Sequence, residues 1–113
     1  MATSIDETLV ALADPTRRWV VEQLRRGPLR AGDLAAAGGM SAPAMSRHLR
    51  VLRRSGLIEG SGIEDDARVR LYRLRPERLS ALRSWLDEMQ AFWGDQLGAF
   101  KAHAERKQKA KHR

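Results

Sequence analysis

The sequence lacks cysteine altogether and has only three histidines among its 113 residues. Disulfide bonds, zinc–thiolate sites, cysteine nucleophiles and thiol redox switches are therefore excluded. It also has no apolar run near the roughly 20 residues that span a bilayer, and residues 1–7 lack the charged and apolar regions of a signal peptide. We therefore expect a soluble intracellular protein with one small domain, because this length leaves no room for a second.

Acidic residues are scarcer than basic ones, 14 against 21, so the formal net charge is +7. A basic balance favours a polyanionic partner such as nucleic acid. Residues 101–113 hold six basic residues and one acid, whereas residues 41–56 hold four arginines and no acid. We interpret residues 1–100 as the folded domain, and residues 101–113 as a basic, disordered tail that attracts DNA without reading its sequence.

Capping and turn residues divide the chain into successive elements. Asp14-Pro15 combines a good N-cap with the residue favoured at the first helical position, and Gly38-Gly39 supplies a tight corner between two helices. The order predicts a mainly α fold with a small β-hairpin, α-α-α-α-β-β-α. The elements are helices over residues 4–13, 15–26, 31–37 and 41–55, strands over 57–61 and 69–74, and a helix over 76–100.

The helix over residues 41–55 carries the most informative pattern. Met45, Leu49 and Leu52 recur at spacings of three and four and predict a buried face. The opposite face is polar and basic, and it follows a glycine turn, as in a DNA-reading helix. This face consists of Pro43, Ser46, Arg47, Arg50 and Arg54.

The last predicted helix has an apolar stripe too broad for one small domain to cover. We therefore expect a homodimer in which this helix packs against its copy, with the first helix contributing. The expected interface residues are Ile5, Leu9, Leu82, Trp85, Leu86, Met89, Phe92 and Trp93.

Three stretches, residues 12–18, 40–58 and 70–74, resemble the ArsR/SmtB family of bacterial winged helix-turn-helix repressors. The opening Ala-Asp-Pro-Thr-Arg-Arg is similar to the small autorepressors of this family rather than to its metal sensors. The resemblance implies a homodimer on palindromic double-stranded DNA, with the fourth helix in the major groove and the hairpin, or wing, at the flanking minor groove.

The metal sites of that family are missing from the sequence. Residues 31–35 offer no thiolate where metal sensors place a cysteine pair, and Asp87 and His103 lack the neighbouring ligands of a tetrahedral zinc site. His48 has no nucleophile to activate. We therefore expect no metal, no cofactor and no catalytic residue.

These observations predict a sequence-specific transcriptional regulator, a homodimeric repressor that binds an inverted repeat in the bacterial cytoplasm, at the nucleoid. The alternative is a winged-helix interaction module that uses its long last helix to bind a protein without reading DNA. Whether a small molecule, a partner protein or abundance controls DNA occupancy stays open. The expected DNA contacts are Ser41, Ala42, Pro43, Ser46, Arg47, Arg50, Arg54, Arg68 and Arg70.

Several residues allow two interpretations. Arg17 and Arg18 could contact phosphate or pair with Asp14 or Asp33. His48 shares the apolar face of its helix, so we expect it at the edge of the core, bonded to a neighbouring backbone group. Trp19 and Trp93 are more often core or interface residues than the lining of an effector pocket.

Overall fold

The computed structural model describes residues 4–62 and 70–111. It divides into two units, one ending at Leu82 and the other beginning at Arg83. Among the described residues, no helix is both long and apolar enough to span a membrane. The elements are α1 (Ser4–Leu12), α2 (Pro15–Arg25), β1 (Leu29–Arg30), α3 (Ala31–Ala37), α4 (Ala42–Arg54), β2 (Ile58–Gly62), β3 (Arg70–Leu74) and α5 (Pro76–Lys111).

The helix starts predicted for α2 and α4 are confirmed by their caps. Asp14 has extended backbone and its carboxylate accepts hydrogen bonds from the N–H groups of Thr16 and Arg17. Ser41 caps α4 in the same way, through the N–H of Ala44. Each cap satisfies N–H groups that have no partner inside the helix, which places the helix start at a defined residue.

The β-structure differs from the predicted hairpin by one strand. The three strands form an antiparallel sheet in the order β1-β3-β2, in which Leu29 lies opposite Tyr72 and Ile58 opposite Leu74. The sequence analysis missed β1 because two residues are too few to show alternation, and only the tertiary fold brings them beside β3.

α5 continues to Lys111, so the structure describes residues 101–111 of the expected disordered tail as helix. Residues 101–111 contain alanine, lysine, arginine, glutamate and glutamine, which are good helix formers. Extending an existing helix avoids the costly nucleation step, so these residues need no apolar packing to continue it.

The core of the first unit lies between α2, α3, α4 and the sheet. α1 contributes Thr8 and Ala11, which are buried, whereas Leu9 is exposed. The face of α1 that enters the core therefore leaves Leu9, which the sequence assigns to the dimer interface, outside the core. The other buried apolar residues are Val20, Leu24, Leu34, Ala35, Met45, Leu49, Leu52, Leu57, Ile58 and Tyr72.

Two glycines shape the corner between α3 and α4. The N–H of Gly39 donates to Ala36 O and that of Met40 to Ala35 O, the pattern that closes a helix at a left-handed residue. Gly39 has a φ of 64°. A Cβ at Gly38 would lie 3.2 Å from the ring of Trp19. The corner therefore needs one glycine for backbone conformation and the other for space.

Gly56 ends α4 in the left-handed conformation, with a φ of 78°, and a Cβ there would lie 2.9 Å from Arg78 Nε. Gly56→Ala is expected to lower the free energy of unfolding by about 1 to 2 kcal/mol, because L-residues are strained at this φ. Urea unfolding at one fixed protein concentration measures the change.

Gly32→Ala is the matched control for Gly56→Ala. Gly32 lies within α3, and a Cβ there meets nothing within 4 Å. Alanine should stabilise this position by up to about 1 kcal/mol, since it is the better helix former. Equal effects of the two substitutions would contradict the role assigned to Gly56.

Candidate nucleic-acid interface

The two faces of α4 differ as predicted. Met45, Leu49 and Leu52 are fully buried, with 0–1% of each residue exposed. Seven of the nine predicted DNA-contact residues lie on the exposed side of α4 or at its capped start, and they are Ser41, Ala42, Pro43, Ser46, Arg47, Arg50 and Arg54. The helix thus presents arginine and hydroxyl side chains while its apolar face anchors it to the core.

Arg54 has a different environment from the other exposed arginines of α4. It lines an open hollow of about 440 Å³ together with Asp6 and Glu7 of α1. Carboxylates here compete with any external anion for the guanidinium. Arg47 and Arg50, nearer the start of α4, do not line this hollow.

The wing is described only at its base. Arg68 and the acidic tip, residues 64–66, lie outside the described residues, and Arg70 is half-buried at the start of β3. Arg73 lies 3.8 Å from Glu59, and Arg75 lies 3.9 Å from Glu59. These two arginines are paired with a carboxylate at the foot of the wing, so their charge is partly neutralised.

Arg17 and Arg18 make intramolecular contacts that neither sequence interpretation anticipated. Arg17 Nε donates to Ala11 O at 2.7 Å, and Arg18 Nη1 donates to Leu12 O at 2.7 Å. Both side chains thus reach back to the last carbonyls of α1, which have no partner within the helix. The predicted pairing of Arg17 with Asp14 is present at 4.0 Å.

His48 lies at the edge of the core, but its partners are side chains rather than the expected backbone group. Its Nδ1 is 3.5 Å from Arg17 Nη1 and 4.0 Å from Asp14 Oδ1. We call these three residues, Arg17, Asp14 and His48, the α1–α4 junction. The sequence analysis missed it because residues 31 positions apart show no local pattern, although the Asp-Pro-Thr-Arg-Arg stretch was noted.

The α1–α4 junction lowers the pKa of Asp14 below its usual value of 3.8. The backbone N–H of Arg17 is the largest cause; partial burial opposes it, and the N–H of Thr16 and the charges of Arg17 and His48 lower the pKa further. A carboxylate with a lowered pKa stabilises the fold above its unfolded pKa. That contribution is lost as the pH falls through the folded value.

Asp14→Asn is therefore expected to reduce stability at neutral pH and to matter less in acid. Asparagine still caps the helix but carries no charge. The difference in unfolding free energy between the native chain and this variant should shrink as the pH falls from about 4 downward. Urea unfolding between about pH 7 and pH 3 tests this, and a pH-independent difference would show that the charge of Asp14 contributes nothing.

The predicted interface residues fall in both units. In the first unit, Leu9 is 43% exposed while Ile5 and Leu82 are half-buried. Val10, which was not among the predicted interface residues, is 65% exposed on the same helix as Leu9. The residues of the second unit are exposed in the single chain, and they are Trp85, Leu86, Met89, Phe92 and Trp93, followed by Leu97 and Phe100.

The two tryptophans considered for an effector pocket lie in different surroundings. Trp19 is half-buried and lines an open hollow of about 590 Å³ in the first unit, beside Leu12 and Leu79. Trp93 is 60% exposed and packs edge-on against Phe92, with ring centroids 6.1 Å apart. Neither is a fully buried core residue.

A helix-turn-helix followed by a β-hairpin, with a basic face on its second helix, defines a winged helix-turn-helix DNA-binding protein. The family model for bacterial regulatory proteins of the ArsR family matches residues 14–59. The chain belongs to the ArsR family and is a DNA-binding transcriptional regulator, which confirms the family, fold class and general function predicted from the sequence.

Individual relatives agree with this assignment. HTH-type transcriptional regulator Rv2034 of Mycobacterium tuberculosis is 44% identical over 92 residues, covering 80% of this chain and 78% of that protein. Transcriptional repressor SdpR of Bacillus subtilis is 40% identical over 48 residues, covering 42% and 53%. The crystal structure of the ArsR family transcriptional regulator RHA00566 aligns with a TM-score of 0.74 at 35% identity, covering 81% of this chain and 98% of that one.

Proposed function

We propose that this regulator is a homodimeric repressor that binds an inverted repeat through α4 and the wing. The observation that carries the proposal is the exposed face of α4. Arg47, Arg50, Arg53 and Arg54 are all exposed, and the helix has no acidic residue to neutralise them. A surface helix needs no such bias for folding, whereas a helix that enters the major groove gains from it.

The start of α4 is the part suited to reading bases. Ser46 and Arg47 lie within its first two turns and are exposed. An arginine at such a position can donate two hydrogen bonds to O6 and N7 of guanine, which distinguishes that base pair in the major groove. We assign base contacts to Ser46 or Arg47.

Phosphate contacts are assigned to the rest of the exposed face. Arg50 is exposed on the same face of α4, and the Ser41-capped start of the helix offers N–H groups and a positive dipole end. Arg54 is the weaker candidate because Asp6 and Glu7 share its hollow. Arg70, together with Arg68 of the wing, is assigned to the flanking minor groove.

Dimerisation through α1 and α5 is supported by the exposed apolar side chains of each unit. A soluble monomer rarely leaves so many large apolar residues uncovered. In a two-fold dimer, the distance between the two copies of α4 would set the spacing of the half-sites. Repression is the activity in the name of the similar protein, transcriptional repressor SdpR. In this protein it would follow from occlusion of a promoter, at the nucleoid in the bacterial cytoplasm.

Selection of bound fragments from random-sequence duplex DNA tests the proposal. We expect an inverted repeat with half-site centres about 10 base pairs, or one helical turn, apart. Gel-shift titration should then show tighter binding to the selected duplex than to a scrambled one at the same salt concentration. Equal affinity for both duplexes would favour the alternative, a winged-helix module that binds a protein partner.

A further inference from the structure

The guanidinium of Arg17 lies where three helices meet. Its Nε donates to Ala11 O at 2.7 Å and its Nη2 to Val10 O at 3.2 Å, both at the end of α1. Its Nη1 lies 3.5 Å from His48 Nδ1 on α4 and 4.0 Å from Asp14 Oδ2 at the cap of α2. A planar guanidinium has five N–H donors, so one side chain can serve all of these partners.

This arrangement argues against a direct phosphate contact for Arg17. Only 16% of its side chain is exposed. All three of its nitrogens face partners within the chain, and Nε donates to Ala11 O, a carbonyl at the end of α1 that lacks an intrahelical partner. Withdrawing this side chain toward DNA would break both of its hydrogen bonds to α1 and remove the one that Ala11 O accepts.

Through His48, Arg17 contacts α4, the helix that is proposed to read DNA. His48 is next to Arg47 in sequence, and its neighbours Met45 and Leu49 attach α4 to the core by apolar contacts. Apolar burial holds a helix against a core but is non-directional. Polar contacts with defined geometry are better suited to fix its rotation and axial position.

Arg17 also contacts α1 through hydrogen bonds to backbone carbonyls. Val10 presents an exposed side chain on the proposed dimer surface, while its carbonyl oxygen accepts a hydrogen bond from Arg17. A displacement of α1 at the dimer interface would therefore move Val10 O, which accepts a hydrogen bond from the guanidinium that also contacts His48.

We propose that Arg17 is a positioning residue that sets the orientation of α4 through His48 and couples it to α1. This inference rests on the proposed function, because it takes α4 as the DNA-reading helix. Arg17 itself contacts no base. It determines the position of Arg47 when the protein binds DNA.

The test compares Arg17 with Arg18, because both side chains donate hydrogen bonds to carbonyl groups at the end of α1. Arg17→Lys keeps the charge but loses the planar fork that reaches α1 and α4 together. Arg18→Lys is the matched control, since the Arg18 contacts with Leu12 O and Ala13 O involve only the end of α1 and the link to α2. Affinity is measured by gel shift on the duplex selected by the native chain and on a scrambled duplex.

We expect Arg17→Lys to weaken binding to the selected duplex about tenfold, the scale of one charge-assisted hydrogen bond, with binding to the scrambled duplex unchanged. Arg18→Lys should retain the native preference. Native-like specificity in Arg17→Lys would overturn the proposal, and so would an equal loss in both variants, which would indicate general damage to α1.

Arg17→Gln distinguishes a positioning role for Arg17 from a direct contact between Arg17 and a DNA phosphate. If Arg17 neutralised a phosphate, removing its charge would reduce the slope of log affinity against log salt by about 0.9. We expect an unchanged slope on the scrambled duplex; a reduced slope would overturn the proposal.

His48→Leu removes the Arg17–His48 contact from the α4 side, and it tests the proposal if the Arg17 variants fail to fold. It should also lose specificity, and combining it with Arg17→Lys should cost less than the sum of the two. Strict additivity would contradict the link. Arg47→Ala distinguishes failure of the proposed function from failure of the role of Arg17. Native affinity in that variant would reject α4 as the reading helix, whereas a loss in Arg47→Ala with native specificity in Arg17→Lys would reject only the role of Arg17.

Discussion

Arg47→Ala is expected to weaken binding to the selected duplex by roughly 1 to 3 kcal/mol, the usual cost of losing a bidentate arginine–guanine contact. The fold should persist, because Arg47 is exposed and the anchoring residues of α4 lie on its opposite face. Gel-shift titration at one salt concentration measures the loss, and near-ultraviolet circular dichroism confirms that the tertiary structure is retained.

Arg53→Ala is the matched control, since it removes the same charge from the same helix. Arg53 is exposed but lies in the last turn of α4, six residues beyond Arg47 and away from the helix start to which base reading is assigned. We expect a small loss that is similar on selected and scrambled DNA, because distant charges act through general attraction. If Arg53→Ala and Arg47→Ala reduced specificity equally, the start of α4 would not be the base-reading part of the helix.

Leu86→Asp is expected to convert the dimer into monomers. Leu86 is 46% exposed in the single chain and lies in the middle of the apolar stripe of α5. A two-fold interface would bury the new carboxylate twice, and an unpaired buried charge costs several kcal/mol. Light scattering at micromolar concentration reports the mass directly.

Ala91→Asp provides the control on the same helix. Ala91 is exposed and lies about half a turn round from the stripe that contains Leu86. This variant should remain dimeric and bind the selected duplex normally. A dimeric Leu86→Asp variant would contradict the assigned interface, and a monomeric Ala91→Asp variant would mean that helix stability rather than the stripe was disturbed.

Loss of the dimer should also reduce binding to the inverted repeat. A monomer holds one copy of α4 and engages one half-site, so the avidity of two linked contacts disappears. Leu86→Asp should therefore bind a single half-site as the native chain does, while losing its preference for the full repeat. This outcome would show that the apolar stripe of α5 acts in dimerisation and not in the contact of α4 with a half-site.

Residues with strong local effects allowed much of the fold to be predicted. Asp14-Pro15 and Ser41 located the starts of α2 and α4, and Gly56 marked the end of α4. These residues act through their own backbone conformation or through N–H groups two or three residues away. Their effect is therefore readable without knowledge of the rest of the chain.

Features that depend on distant partners could not be predicted in the same way. β1 exists because Leu29 and Arg30 meet β3, about 40 residues later in the chain. The burial of Thr8 and Ala11 reflects how α1 lies on α2, which the spacing of apolar residues does not specify. Basic composition was taken as disorder in residues 101–111, although the same residues readily extend a helix.

The sequence by itself determined the order of the helices, the wing and the basic face of α4, because periodicity, caps and turns are encoded within a few residues of each other. Tertiary structure alone decided that Arg17, Asp14 and His48 form a common site. The capping role of Asp14 is encoded locally, but its contact with His48 arises only when the end of α1, the cap of α2 and the inner edge of α4 are packed together. Hydrogen bonds and charges act over a few ångströms in space, whatever the separation in sequence.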